Sequence, residues 1–231
     1  MEAGEGRRET RFRPVDLPMP NEAGRRRGRR HNRFFAMTAP LASVPASAPT
    51  TLLTPDHTVL SRAGGRFRIR PVRRSDETAL RDMFLRCSAD DLRLRCFGLS
   101  KSFPADFAAR LARLTRPDEF AIAAATEAGE MAGVVHAVAL PGTEGDADYD
   151  IMVRTDLKGQ GLGSLLMREM LKQAVRSGFR AVHGDVLMSN RAMLLLAGDL
   201  GFRRVALQDG VVRLTALPCG GAESRAGPSG R

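Results

Sequence analysis

The chain has 231 residues, of which 43% are hydrophobic, 27% charged and 5% aromatic, and its formal net charge is +10. This balance is typical of a globular protein, and charge or glycine interrupts each apolar stretch well before the roughly 20 residues that a membrane helix needs. Cys87, Cys96 and Cys219 stand in neither a CxxC pair nor a zinc-binding spacing. The composition therefore excludes a transmembrane protein, a disulfide framework and a zinc site, and it predicts a cytoplasmic protein without a metal.

The positive charge is concentrated at the amino-terminal end. Residues 1–66 hold 12 arginines and 6 acids, so more than half of the net charge lies in less than a third of the chain. The basic run 25–30 precedes a tract rich in Ala, Pro, Ser and Thr, which cannot bury enough apolar surface to offset the entropy of ordering it. We expect a disordered extension at 1–65, one domain at 66–217 and a disordered tail at 218–231.

A strand and three helical segments begin the predicted domain. Apolar residues alternate with arginines from Arg66 to Arg70 until Pro71, which predicts an edge strand. Ser75-Asp76-Glu77 predicts a helix start, because carboxylates favour the first turn. The apolar face expected for this helix comprises Leu80, Phe84 and Leu85. A short segment at 88–97 and a helix opened by Pro104 follow.

The next two strands, Phe120–Thr126 and Met131–Leu140, should pair as a hairpin because a short turn with Gly129 joins them. An acidic loop at 141–146 then leads to a strand at 149–153. The elements that complete the domain are a glycine-rich turn at 157–164, a helix to about 177, a strand at 180–187, a helix at 190–200 and two short strands. This order predicts an α+β fold, with a mixed, mostly antiparallel sheet flanked by helices.

The most informative stretch is Asp156-Leu157-Lys158-Gly159-Gln160-Gly161-Leu162-Gly163-Ser164. Its three glycines follow a strand and open a helix, so the backbone can direct several N–H groups at one anion before the positive end of the helix dipole. It lacks the GK[ST] of a nucleoside triphosphatase and the GxGxxG spacing of a dinucleotide-binding fold. The stretch predicts a pyrophosphate-binding turn, and the plainer alternative is a glycine-rich connection.

Two motifs resemble the GNAT superfamily of N-acetyltransferases. Lys158, Gly161 and Gly163 match its acyl-CoA motif, which is Arg or Gln, two residues, Gly, one residue, then Gly or Ala, with Lys at the first position. Asn190, followed by an apolar helix and Gly201-Phe202, matches its second motif. The resemblance extends over residues 66–217, and the stretches 68–73 and 88–98 resemble the acetyltransferase domain of bacterial protein lysine acetyltransferases.

This resemblance implies a cosubstrate, acetyl-CoA, and the residues that hold it. The backbone of the strand would pair with the pantetheine arm, the turn would hold the pyrophosphate, and the motif asparagine would contact the cofactor. The implied residues are Ile151, Met152, Val153, Lys158, Gly159, Gln160, Gly161, Leu162, Gly163, Ser164 and Asn190. The resemblance also implies direct attack by an amine, without an acyl-enzyme, so no cysteine nucleophile is needed.

Direct attack needs a neutral amine, whereas a lysine pKa near 10.4 leaves only about one side chain in 2,500 neutral at pH 7. Asp148 and Asp150 are the candidate bases, because side chains alternate along a strand and these two share a face. The resemblance favours Asp148, which falls where relatives often carry a catalytic Glu. Many relatives protonate the leaving thiolate with a Tyr at the position of Ala197, and Tyr149 is expected on the face opposite Asp148, so no general acid is predicted.

The sequence therefore predicts an N-acetyltransferase that modifies an amine, with a protein lysine as the preferred acceptor. A small amine metabolite is an alternative acceptor. A non-catalytic CoA-sensing or nucleic-acid-binding module is an alternative of another class. Binding of nucleic acid would depend on the arginine cluster at 25–33, and no membrane partner is predicted.

Overall fold

A computed structural model describes residues 55–96 and 103–218. The strands of these residues are β1 His57–Leu60, β2 Arg66–Pro71, β3 Glu119–Thr126, β4 Met131–Ala139, β5 Asp146–Val153, β6 Ala181–Leu187, β7 Arg203–Gln208 and β8 Val211–Ala216. The helices are α1 Glu77–Leu85, α2 Ala89–Cys96, α3 Phe103–Ala112, α4 Leu162–Arg176 and α5 Arg191–Asp199. None of the helices described is long and apolar enough to cross a bilayer.

The strands form one sheet in the order β1-β2-β3-β4-β5-β6-β8-β7. Neighbouring strands are antiparallel except β5 and β6, which are parallel and are connected through α4. A parallel pair needs such a crossover, because a tight hairpin can join only antiparallel strands. The α+β fold with a mixed, mostly antiparallel sheet is thus confirmed, and so is the hairpin of β3 with β4.

Helices cover both faces of the sheet, because the central strands are apolar on both sides. On one face, Leu166 and Met167 of α4 and Ala197 of α5 are buried. On the other face, Leu80 of α1 and Leu111 of α3 are buried. In β4, Val134 belongs to one of these cores and Val135 and Ala137 belong to the other, because side chains alternate along a strand. The single parallel pair therefore lies within the sheet, between two helical layers.

The structure differs from the sequence predictions near the amino terminus. β1 lies inside the stretch expected to be disordered, and it pairs with β2 while Val59 packs against the core. The edge position predicted for β2 is therefore wrong, because β2 pairs with both β1 and β3. Residues 1–54 and 219–231, where the other expected disorder falls, lie outside the described residues.

The apolar face of α1 also differs by one residue. Leu85 is 66% exposed, whereas Met83 is buried beside Leu80 and Phe84. The helical period explains this, because positions three and four residues after Leu80 lie on its face and position five does not.

Candidate active site

The site begins where β5 and β6 part. These strands pair only from Asp146 to Asp148, opposite residues 181–183. Beyond that point β5 stays paired with β4 as far as Val153, and β6 stays paired with β8 as far as Leu187. The strands therefore form a wedge, in which the backbone edge of β5 that faces β6 is available to a ligand.

A cavity of about 400 Å³ lies in this wedge. That volume is typical of a site for a small organic ligand. The structure places all the predicted cofactor residues except Gln160 in its lining, from β5, the glycine-rich turn and the start of α5. The predicted residues that line it are Ile151, Met152, Val153, Lys158, Gly159, Gly161, Leu162, Gly163, Ser164 and Asn190.

The glycine-rich turn has a backbone conformation that favours glycine. Gly159 and Gly161 have φ angles of +75° and +85°, in the left-handed region that other residues rarely adopt. Gly161 is the N-cap of α4, so the first N–H groups of this helix have no carbonyl partner within the helix. Because Gly161–Ser164 line the cavity, these groups and the positive end of the helix dipole suit an anion there.

Lys158, the basic residue of the turn, is ion-paired with Asp91 of α2. The Asp91 carboxylate also accepts a hydrogen bond from the Thr155 hydroxyl at 2.6 Å. Burial raises the pKa of Asp91, but the Lys158 ammonium and the Thr155 hydroxyl outweigh it and hold the pKa below its ordinary value. The positive charge of Lys158 is therefore largely balanced by Asp91 in this structure.

Asn190 caps α5. Its side-chain oxygen accepts a hydrogen bond from the backbone N–H of Met193 at 3.1 Å. A cap of this kind satisfies an N–H group that the helix itself leaves unpaired. The motif asparagine therefore fixes the start of α5 at the rim of the cavity.

The predicted bases lie on the same face of β5 as Met152, which belongs to the core that includes Leu80 of α1 and Leu111 of α3. Asp148 is in the last paired position of β5, opposite His183, and it accepts a hydrogen bond from Arg213 at 2.8 Å. Burial raises the pKa of this half-buried carboxyl; Arg213 opposes the shift, Asp185 reinforces it, and the pKa stays above its ordinary value. Asp150 lines the cavity, and Asp148 lies at the point where the wedge closes.

Tyr149 lies on the opposite face, as predicted, yet it also lines the cavity. Its ring crosses to β6 and lies over Gly184, where an added Cβ would be 2.4 Å from the ring atom Cε1. The hydroxyl is buried and has no hydrogen-bond partner among the described residues. Burial, more than the three neighbouring carboxylates, raises its pKa.

Cys87 lies near this site, close to Asp91 and Lys158. The side chain is buried, and burial raises the pKa of its thiol to about 11. A thiol with such a pKa is a poor nucleophile at neutral pH, because the thiolate is the reactive form. Cys87 therefore fits a packing role, in keeping with a reaction that forms no acyl-enzyme.

The cavity residues that sequence reasoning did not assign to the site include an arginine, a tyrosine and two aspartates. Arg62 lies in the β1–β2 turn, Asp91 in α2, Tyr149 in β5 and Asp185 in β6. One signal could have found Arg62, because Gly64-Gly65 between two short alternating runs indicates a hairpin. Asp91 carried no such signal, since its contact with Lys158 joins residues far apart in the sequence.

Comparisons with known proteins agree with this geometry. Residues 86–202 match the model of the acetyltransferase (GNAT) family. Over 150 residues the chain is 31% identical to Acetyltransferase PA5475 of Pseudomonas aeruginosa, a match that covers 64% of this chain and 81% of the relative.

Two solved structures share the fold. The GNAT domain of S. lividans PAT has a TM-score of 0.63 and 25% sequence identity, over 70% of this chain and 96% of that chain. The protein yncA of Salmonella typhimurium, solved with its cofactor acetyl-CoA, has a TM-score of 0.52 and 15% identity, over 69% and 98% of the two chains. The second likeness concerns the fold alone. The family match spans both strands of the wedge, the glycine-rich turn and α5, and the chain therefore belongs to the GNAT family of acetyltransferases.

Proposed function

We propose that this chain transfers an acetyl group from acetyl-CoA to an amine, preferably the side chain of a protein lysine, and that Asp148 is the base. The observation that carries the proposal is the placement of three features at one wedge. A glycine-rich turn lies along the cavity, unpaired strand backbone forms its wall, and two carboxylates lie where the strands part.

The residues of the wedge fit acetyl-CoA. The backbone of Ile151–Val153 would pair with the amide groups of the pantetheine arm, because its edge toward β6 has no strand beside it. The N–H groups of Gly161–Ser164 would hold the pyrophosphate. When bound, the cofactor supplies a thioester carbonyl that a neutral amine can attack.

Asp148 is suited to take a proton from the incoming ammonium group. Its pKa is raised by burial, and a carboxylate of raised pKa is a stronger base than an exposed aspartate. Arg213 holds one carboxylate oxygen at 2.8 Å, which fixes the group and leaves the other oxygen for the proton. Asp150, on the same face and in the cavity wall, is the second candidate.

The charge on this face favours a cationic acceptor. Four aspartates lie on or beside the wedge, namely Asp146, Asp148, Asp150 and Asp185. Arg213 pairs with Asp148 and Asp185, and His183 lies 3.2 Å from Asp146. These carboxylates would attract a lysine ammonium, since charged clefts raise the local concentration of an oppositely charged substrate.

A panel of acceptors tests this function. Release of free thiol from acetyl-CoA is measured with lysine peptides, folded proteins and small polyamines or aminoglycosides, and mass spectrometry locates the acetyl group. We expect turnover on lysine side chains. Turnover confined to small amines would show that the acceptor is a small metabolite and not a protein. Thiol release that needs no amine would contradict amine acetylation.

The non-catalytic alternative makes a different prediction. Its arginine cluster at 25–33 lies outside the described residues, and binding of nucleic acid through it would weaken steeply with salt. Deleting residues 1–54 would then abolish function. We expect this deletion to leave acetyl transfer to lysine peptides intact.

A further inference from the structure

Two basic residues line the cavity beside the glycine-rich turn, namely Lys158 of the motif and Arg62. Lys158 is ion-paired with Asp91, so binding an anion to Lys158 must compete with a carboxylate already in contact. Arg62 also lines the cavity, and it forms no ion pair with any residue in the described part of the chain. Arg62 lies outside the stretch matched by the family model.

The β1–β2 turn holds Arg62 against the glycine-rich turn. The backbone N–H of Arg62 donates a hydrogen bond to the carbonyl oxygen of Gln160 at 2.9 Å. Its side chain lies over Gly161, where an added Cβ would be only 3.1 Å from Cγ of Arg62. The contact therefore brings the arginine stem across the residue that begins α4.

The β1–β2 turn is itself well fixed. The backbone N–H of Ser61 donates to the carbonyl of Gly65 at 2.8 Å, and the N–H of Gly65 donates to the Ser61 hydroxyl at 3.1 Å. Ser61 is buried, so these bonds are shielded from water. A fixed turn keeps the Arg62 backbone in place, and less conformational freedom is lost when the side chain binds a ligand.

We propose that Arg62 binds a phosphate group of CoA and provides more of the electrostatic attraction for it than Lys158 does. This inference rests on the proposed function, since it concerns the same cofactor site. A guanidinium presents several N–H donors in a plane and suits phosphate oxygens, and its charge here is not already balanced by a carboxylate. The β1–β2 turn thereby adds a phosphate-binding side chain to a cavity whose other walls lie within the family match.

Calorimetric titration of the full chain with acetyl-CoA tests the proposal. Arg62→Ala should raise the Kd roughly tenfold, and Lys158→Ala should raise it less. Arg66→Ala is the matched control, because Arg66 lies on the same hairpin, is exposed and pairs with Glu127 at 3.2 Å. This control should bind like the wild type. S-acetylpantetheine, which has no phosphate, should give the same kcat/KM with the wild type and Arg62→Ala.

Three results would overturn the proposal. They are an Arg62→Ala variant that binds acetyl-CoA like the wild type, a greater loss in Lys158→Ala, and an equal loss of activity toward S-acetylpantetheine, which would indicate a disturbed wedge. If Arg62→Ala also binds acetyl-dephospho-CoA more weakly than the wild type does, Arg62 binds the pyrophosphate. If the two proteins bind acetyl-dephospho-CoA equally well, Arg62 binds the 3′-phosphate. If the wild type neither binds acetyl-CoA nor releases thiol, the proposed function fails first and this inference fails with it.

Discussion

Asp148 lies where β5 and β6 part, and burial raises the pKa of its carboxyl. The carboxylate accepts protons only above its pKa, so activity should fall as the pH drops through that value. Asp148→Asn should lower kcat/KM at pH 7 by about a hundredfold or more, and the remaining rate should rise with pH because lysine must then deprotonate unaided. The measurement is the pH profile of thiol release.

Two comparisons make this prediction specific. Asp148→Glu keeps a carboxylate and should retain most of the activity. Asp150→Asn makes the same change in the neighbouring acid on the same face, and it should lower kcat/KM less than Asp148→Asn does. An unchanged pH profile in Asp148→Asn would remove Asp148 as the base, and a larger loss in Asp150→Asn would assign that role to Asp150.

The structure requires glycine at position 184, because a Cβ added there would lie 2.4 Å from Cε1 of the Tyr149 ring. The ring also packs against Phe202, with centroids 5.4 Å apart, so it has little room to move. Gly184→Ala should lower the free energy of unfolding by about 1–3 kcal/mol through overpacking, measured by urea denaturation. Gly198→Ala is the control, since no atom lies within 4 Å of its added Cβ. Equal free energies of unfolding for the two variants would contradict this prediction, because they would show that the Tyr149 ring can move away from the added Cβ without loss of stability.

At the scale of elements, a buried ion pair fixes the connection between β2 and α1. Arg70 donates two hydrogen bonds to the Asp76 carboxylate, at 2.7 and 2.9 Å, and the backbone N–H of Arg73 donates a third at 2.7 Å. Arg70 and Asp76 are both more than nine-tenths buried. This connection sets where α1 begins over the sheet, on the face that carries the carboxylates.

Breaking this pair should cost far more than breaking an exposed one. Asp76→Ala should lower the free energy of unfolding by about 3–5 kcal/mol, because it leaves a buried guanidinium without its counter-charge. Asp56→Ala is the comparison, since it removes exposed pairs with Arg68 and Arg73. We expect no clear change in that variant. Similar denaturation midpoints for the two variants would contradict this account of the connection.

The order of elements could be predicted because its signals are local. Alternation identified the strands, and glycines marked the starts and ends of helices, as at Gly161 and Gly178. β1 escaped prediction because four residues carry too short a period to stand out after a long polar tract. β2 was consequently placed at the edge of the sheet, and Arg62 was assigned to a disordered stretch.

Most of the predicted cofactor residues came together because they lie on β5 and on the glycine-rich turn that follows it, and Asn190 joins them at the start of α5. Ion pairs across the site could not be predicted in this way. Asp91 reaches Lys158, and Arg213 reaches Asp148, only after the helices and strands have packed. Local sequence patterns therefore located the wedge, whereas the ion pairs that its charged residues form depend on tertiary structure.

Over the whole molecule, the net positive charge is distributed unevenly between the first 66 residues and the rest of the chain. Residues 67–231 hold 24 basic and 20 acidic groups, so most of the excess of +10 belongs to the first 66 residues. At the wedge, Asp148 and Asp150 lie on β5 and Asp185 lies on β6, while Arg62 and Lys158 lie at the glycine-rich turn. This separation suits a reaction that brings an anionic cofactor and a cationic amine to the same wedge from opposite sides.

Every proposal above depends on binding of acetyl-CoA at the wedge, and calorimetric titration of the full chain measures that binding. The titration is run at two temperatures, since a binding enthalpy can pass through zero at one of them. We expect saturable binding of one acetyl-CoA per chain, with a higher Kd in Arg62→Ala. No binding at either temperature would contradict this expectation.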